Sequence, residues 1–85
     1  MADDKNVELQ SNQEKLQALL RQIRLDAGLR QIDLAKQLQQ PQSFVSKYES
    51  GERRLDVFEL RKICQITGIS LIEFIERLEQ LIGSK

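Results

Sequence analysis

The chain is short of the residues from which most small functional sites are built: it has no histidine and one cysteine, Cys64, among 85 residues. A lone cysteine excludes an internal disulfide, and Cys64 lies on an apolar helix face, so we interpret it as a core residue. Without histidine we expect neither a zinc site nor a histidine-based catalytic group. The sequence also contains no glycine-rich phosphate loop and no nucleophile–base pair. We therefore predict a protein that is not an enzyme and holds no metal or cofactor.

Long apolar runs are missing as well. No stretch approaches the ~20 residues that cross a bilayer. The N-terminus is acidic and polar with no apolar stretch behind it, which excludes an ordinary signal peptide. We therefore expect a cytoplasmic protein that does not contact a membrane. The length predicts one domain, and the hydrophobic content of 40% is ordinary for a globular one.

Neither sign of charge is in excess, since 13 basic and 13 acidic residues give a net charge of zero. Neutrality argues against nucleic-acid binding, but the charges are unevenly distributed. Residues 1–20 carry a net −2, residues 21–54 a net +3 and residues 55–85 a net −1. The middle of the chain is therefore its basic part.

Apolar residues recur at spacings of three and four, which is typical of helices, and no segment alternates in the manner of a strand. The pattern predicts helices at about 12–27, 30–39, 41–49 and 56–67, and a fifth from residue 70. Residues 1–11 have little pattern, so we interpret them as a flexible N-terminal arm, with Ser11 or Asn12 capping the first helix. The predicted fold is all-α, a compact five-helix bundle over residues 12–85.

Several residue types mark the ends of these helices. Gly28 and Gly68 are expected to close the first and fourth helices, because glycine tolerates the left-handed conformation that ends a helix. Asp56 is the candidate cap of the fourth helix. Ser70 and Glu73 have the spacing of a capping box, in which each side chain satisfies the exposed backbone N–H of the other.

The most informative segment runs from residue 29 to residue 51. Two short helices are joined there by a three-residue turn at 39–41. Ala35 is small where one helix must approach the other, and Leu38 and Val45 lie where the two helices share a core. This spacing predicts a helix-turn-helix motif, whose second helix enters the major groove of double-stranded DNA.

These residues also resemble those of the phage repressor and Cro family, the XRE-type helix-turn-helix proteins. The resemblance extends from about Leu16 to Ile82 and is carried by Arg24, Gly28-Leu29-Arg30-Gln31, Leu34-Ala35, Gln42-Ser43, Val45-Ser46-Lys47 and Glu49-Ser50-Gly51. It implies a sequence-specific transcription regulator, a repressor that acts as a homodimer on an inverted repeat. It also implies a partly buried ion pair between Arg24 and Glu49.

The third helix carries the candidate base contacts, which are Gln42, Ser43, Phe44, Ser46 and Lys47. The amide of Gln42 can bond adenine bidentately, and Lys47 can reach a guanine. Phe44 is expected to be exposed, opposite Val45 and Tyr48, where it can pack on a thymine methyl or contact a protein partner. Taken singly, polar residues of this kind are also what a solvated helix surface shows.

Candidate phosphate contacts flank this helix. Gln31 begins the second helix, where backbone N–H groups point outward, and the family uses the matching glutamine to grip the DNA backbone. Arg53 and Arg54 lie in the loop after the third helix and can add contacts that release counterions. Plain solvation of the loop is the alternative interpretation for the two arginines.

The sequence departs from the family pattern at two positions of the turn. Gln39 replaces the usual glycine, which carries a cost if that position requires positive φ. Pro41 replaces the usual Ser or Thr cap, and we expect it at the first position of the third helix. Neither departure forbids the motif.

The fifth helix has more apolar surface than the core of so small a bundle needs, at Ile72, Leu78, Leu81 and Ile82. We interpret this C-terminal helix as a dimer contact, which the resemblance also implies. The alternative is that Leu78 and Ile82 pack back on Leu16 and Leu20 of the first helix.

The sequence is compatible with two other functions. One is an antitoxin-type regulator that represses its own operon and binds a toxin partner, for which the acidic arm is suited. The other is a protein-interaction module on the same fold that does not bind DNA, which the zero net charge and an exposed Phe44 favour.

Overall fold

Five helices form the fold, which we describe from a computed structural model for the backbone of residues 2–83 and the side chains of residues 7–83. They are α1 (Ala2–Asp26), α2 (Gln31–Leu38), α3 (Gln42–Ser50), α4 (Val57–Thr67) and α5 (Leu71–Gly83). Within this part of the chain there is no strand, so the predicted all-α five-helix bundle is confirmed. Over the same residues, no helix combines the length and the apolar character that crossing a membrane requires.

Helix α1 is longer than the sequence pattern indicates. It begins at Ala2, so the predicted start at Asn12 was wrong and the backbone of the predicted arm is helical. Periodicity missed this because it reports a buried helix face, whereas Val7 and Leu9 are 65% and 67% exposed. No glycine or proline interrupts this stretch. The side chains of residues 1–6 lie outside the described part, and flexibility of the arm stays a prediction.

The core lies where the helices meet. Its buried side chains are Leu19, Leu20, Ile23, Leu34, Ala35, Val45, Tyr48, Ile63, Cys64, Ile69 and Phe74. Ala35 and Val45 are fully buried between the helices, as their spacing predicts. The small side chain of Ala35 lets α2 and α3 approach closely. Burial raises the pKa of the Cys64 thiol to about 11, which keeps it neutral near pH 7. Cys64 is therefore a core residue, as predicted.

The predicted N-terminal caps of α4 and α5 differ in their outcome. Asp56 accepts from the N–H of Glu59 at 2.7 Å, and the Glu59 carboxylate accepts from the N–H of Asp56 at 2.9 Å. The α4 cap is therefore confirmed and is a complete capping box. At α5, Ser70 accepts from the N–H of Glu73 at 3.0 Å. The Glu73 carboxylate turns away to Arg77, 2.8 Å distant, so only half of the predicted box is present.

Candidate nucleic-acid interface

The turn between α2 and α3 contains a residue in a strained conformation. Gln39 has a φ of 58°, and it is the one residue other than glycine with positive φ in the described part of the chain. The predicted glycines Gly28 and Gly68 adopt the same region without a Cβ, with φ of 74° and 87°. The expected conformational cost of a side chain at positive φ is therefore present at Gln39. The backbone of the turn keeps the left-handed conformation that the usual glycine would adopt.

Pro41, the last residue of the turn, differs from its predicted place in the helix. Pro41 is not the first residue of α3 but its N-cap, with φ of −68° and ψ of 158°, and α3 begins at Gln42. The extended ψ keeps Pro41 outside the helix, while its carbonyl accepts from the N–H of Phe44 at 2.9 Å. Proline offers no side chain for capping, so the first N–H groups of α3 are left to other acceptors.

Three of the predicted base-contact residues share the open face of α3. Gln42, Ser43 and Lys47 are exposed. Ser46 is half-buried, and its hydroxyl donates to the carbonyl of Ser43 at 3.2 Å, so only its oxygen lone pairs remain to contact a ligand. This polar face is what a helix needs to bond base edges.

Phe44 differs from the other members of this set. It is half-buried rather than exposed, and its ring meets the edge of Tyr48 with the centroids 5.7 Å apart. The expectation that Phe44 lies opposite Tyr48 was wrong, because residues four apart share one face of a helix. The guanidinium carbon of Arg53 lies 4.4 Å above the centroid of the Phe44 ring. Phe44 therefore presents only part of its ring to the surface.

Behind α3, a buried ion pair joins this helix to α1. The Arg24 guanidinium donates to the two carboxylate oxygens of Glu49 at 2.7 and 3.1 Å and to the carbonyl of Leu29 at 2.9 Å. The two side chains are only 8% and 6% exposed. The hydrogen bond to Glu49 raises the pKa of Arg24, so the guanidinium stays charged. The ion pair that the resemblance implies is thus confirmed.

The ion pair also anchors the predicted DNA contacts. Gln31 donates from its amide to Glu49 at 3.1 Å, and Gln42 donates to the amide oxygen of Gln31 at a longer 3.5 Å. A chain of polar contacts therefore runs from buried Arg24 through half-buried Gln31 of α2 to exposed Gln42 of α3. Sequence reasoning missed the role of Glu49 in holding Gln31, because the two residues are separated by 18 positions and no periodicity relates them.

The arginines of the loop after α3 differ from each other. Arg53 forms an ion pair with Glu59 at 2.8 Å. Arg54 is exposed and has no ion-pair partner among the described residues. At the start of α2, Arg30 pairs with Asp33 at 2.9 Å, and this bond lowers the pKa of Asp33 to about 2. Of these three arginines, Arg54 is the one whose charge has no acidic partner between residues 7 and 83.

At the far end of the bundle, α5 keeps apolar side chains in contact with solvent. Ile72 is 73% exposed, and Ile75 and Leu81 are 41% and 44% exposed. Leu78 and Ile82 are half-buried and line a groove of about 650 Å³ against the first half of α1, together with Leu9, Leu16 and polar residues. Leu78 therefore packs on the core, Ile82 borders the groove, and the rest of the predicted apolar excess stays uncovered.

Comparisons with known proteins agree with this geometry. A helix-turn-helix family model matches residues 20–74, which include α2, the turn and α3. The chain is similar to the solved structure of an XRE-family like protein from Pseudomonas syringae pv. tomato str. DC3000, with 37% identity and a TM-score of 0.83 over 95% of this chain and 98% of that one. It is also similar to a single-residue variant of the restriction-modification controller protein C.Esp1396I, with 25% identity and a TM-score of 0.74 over 87% and 97% of the two chains. No curated protein matches the chain.

Proposed function

The chain belongs to the XRE-type helix-turn-helix family, and we propose that it is a DNA-binding transcriptional regulator without enzymatic activity of its own. The observation that carries the proposal is the polar chain that ends at Gln42. It holds an exposed amide on the open face of α3 by way of Gln31 and the buried Arg24–Glu49 pair. Holding a polar group in place before binding lowers the entropy lost when it meets a rigid base edge.

The base contacts follow from the open face of α3. One N–H of the Gln42 amide points to Gln31, which leaves the other N–H and the oxygen for the two groups that adenine presents in the major groove. Lys47 lies one turn further along and can donate to guanine. Ser43 and the oxygen of Ser46 add short-range contacts, and the uncovered part of Phe44 can meet a thymine methyl.

The phosphate contacts are assigned to the edges of this face. Gln31 is the first residue of α2, where the helix dipole and free N–H groups attract a phosphate. Arg54 is exposed on the loop after α3 and forms no ion pair with any side chain that the structure describes. Contacts of this kind fix the register of the protein on the duplex, and they make binding dependent on salt.

We further propose that the regulator is a homodimer and a repressor. The exposed Ile72, Ile75 and Leu81 of α5 supply apolar area that a second copy can cover. A two-fold dimer would place two α3 helices about 34 Å apart, one turn of DNA, over an inverted repeat. A dimer bound there blocks polymerase wherever the repeat overlaps a promoter.

The deciding experiment is the selection of binding sites from a random duplex library at ~100 mM salt, so that nonspecific phosphate attraction does not dominate. We expect an inverted repeat with half-sites about one helical turn apart. A protein with a native circular dichroism spectrum that enriches no sequence would refute the regulator function. Enrichment of a single half-site would keep the DNA-binding function and remove the dimer.

A further inference from the structure

The side chain of Arg53 is held on several sides by the protein itself. Its two terminal nitrogens donate to the Glu59 carboxylate at 2.8 and 3.1 Å, and one of them also donates to the carbonyl of Arg54 at 2.8 Å. The guanidinium carbon lies 4.4 Å above the centroid of the Phe44 ring. A cation at this distance from an aromatic face is attracted by the negative charge of that face. Only 38% of the side chain is left exposed.

These contacts join the start of α3 to the start of α4, two helices that also share the buried core. Glu59 lies in the first turn of α4, where the same carboxylate accepts from the N–H of Asp56. Phe44 lies near the start of α3, among the residues that face DNA in the proposed function. Arg53 therefore connects the capping box of α4 to an aromatic ring on the recognition helix.

The same contacts make Arg53 a poor ligand for phosphate. The hydrogen bond from Arg53 lowers the pKa of Glu59, so the carboxylate stays ionised at neutral pH and offsets the arginine charge. A phosphate would be left with the N–H groups that Glu59 and the Arg54 carbonyl do not use, and it would lie beside a carboxylate that repels it. The neighbouring Arg54 is exposed and has no such partner in the described residues, so it is better suited to that contact.

We infer that Arg53 is a positioning residue for the recognition helix. It holds the Phe44 ring, and with it the N-terminal half of α3, against α4, while Arg54 makes the phosphate contact. This inference rests on the proposed DNA-binding function. It assigns different roles to two adjacent arginines that the sequence alone does not distinguish.

The test compares Arg53→Gln with the matched control Arg54→Gln on the selected operator and on unrelated duplex DNA, over a range of salt. Losing the stacking and the ion pair should weaken operator binding by Arg53→Gln about 5- to 10-fold, with unrelated DNA and the salt slope unchanged. Arg54→Gln should weaken both DNAs and reduce the slope of log K against log salt by about 0.9, one phosphate contact. A slope reduced by about 0.9 in Arg53→Gln would overturn the inference.

Arg53→Lys separates positioning from simple charge. Lysine keeps the charge but lacks the planar group that stacks on the ring and pairs with both carboxylate oxygens. We expect Arg53→Lys to bind the operator as weakly as Arg53→Gln, with an unfolding midpoint that shows the protein folded at the assay temperature. Operator binding restored to the wild-type level by lysine would contradict a positioning role.

A second measurement does not depend on DNA. Glu59→Gln removes the charge partner but keeps the capping box, because glutamine serves equally at that position. The NMR shifts of the Phe44 ring protons in the free protein should move in Glu59→Gln and in Arg53→Gln, and stay in place in Arg54→Gln. Ring shifts unchanged in all three variants would refute the link.

A wild-type protein that selects no sequence overturns the function and this role together, whereas equal behaviour of the two arginine variants on a selected operator overturns this role alone.

Discussion

The two outward surfaces of this bundle are built in opposite ways. On the α2–α3 surface, exposed polar side chains are backed by polar contacts that lead from Gln42 and Gln31 to a buried ion pair. On the α5 surface, apolar side chains such as Ile72 and Ile75 are exposed among charged ones. Hydrogen bonds hold the side chains of the first surface in fixed orientations. The second surface offers apolar area, which imposes no particular orientation on a partner.

The difference matches the partners that we propose for the two surfaces. The edges of DNA bases present donors and acceptors at fixed positions, so side chains that read them benefit from being held in advance. A second protein copy can be recognised by the non-directional removal of apolar surface from water. The predictions below test whether the two surfaces can be damaged independently, in decreasing order of expected effect.

The largest effect is expected at the buried ion pair. Glu49→Ala leaves the Arg24 guanidinium buried without its partner, so we expect the free energy of unfolding to fall by about 3–5 kcal/mol. Urea denaturation followed by circular dichroism measures this. Arg77→Ala breaks the exposed pair with Glu73 and should cost less than about 1 kcal/mol. Equal losses in the two variants would mean that burial of the Arg24–Glu49 pair does not matter.

The apolar surface is tested by Ile72→Glu. A charge at this exposed position should leave the fold intact but prevent dimerisation, because it would have to be desolvated in the interface. Sedimentation equilibrium should then report a monomer, and operator affinity should fall by about 100-fold through loss of bivalent binding. Leu25→Glu, at a position 48% exposed near the end of α1, is the control and should remain dimeric. A wild-type protein that is already monomeric would remove the dimer proposal.

The polar surface is tested by Gln42→Ala. Loss of a bidentate contact to adenine should weaken operator binding by about tenfold, since one such contact contributes ~1–3 kcal/mol of discrimination. The variant should also tolerate other base pairs at that position, while binding to unrelated DNA is unchanged. Gln65→Ala removes an exposed glutamine from α4 and should bind the operator like the wild type. Fluorescence anisotropy on single-base operator variants distinguishes these outcomes, and an unaltered base preference would exclude Gln42 as a reader.

The smallest effect is expected at the turn that sets α3 against α2. Gln39→Gly should relieve the left-handed strain of ~1–2 kcal/mol, partly offset by the greater entropy of glycine in the unfolded chain. We expect a net stabilisation of about 0.5–1 kcal/mol in chemical denaturation, with operator affinity unchanged. Gln40→Gly, at the neighbouring turn position without positive φ, should be destabilising instead. A loss of stability in Gln39→Gly would show that its side chain contributes more than its backbone costs.

Much of the fold follows from local signals, and these are the ones that the sequence predicts well. Helical spacing, the glycines at helix ends and the cap at Asp56 each involve residues within one turn of the chain. The strain at Gln39 was also predictable, because the family pattern shows a glycine where the backbone requires positive φ. Local reasoning failed in the first turns of α1, where Val7 and Leu9 are exposed, and where Phe44 was assigned to the wrong face.

The sequence by itself determined that this protein is a helical bundle with a helix-turn-helix motif and a polar face on α3. The tertiary structure decided how that face is supported. Glu49 meets Gln31 and Arg24 across 18 and 25 positions, and Arg53 reaches Phe44 and Glu59 on two different helices. Periodicity relates residues three or four apart, so contacts between helices are set by how the buried faces pack and not by any pattern along the chain. That packing is also what separates Arg53, which contacts Phe44 and Glu59, from Arg54, which is open to a partner.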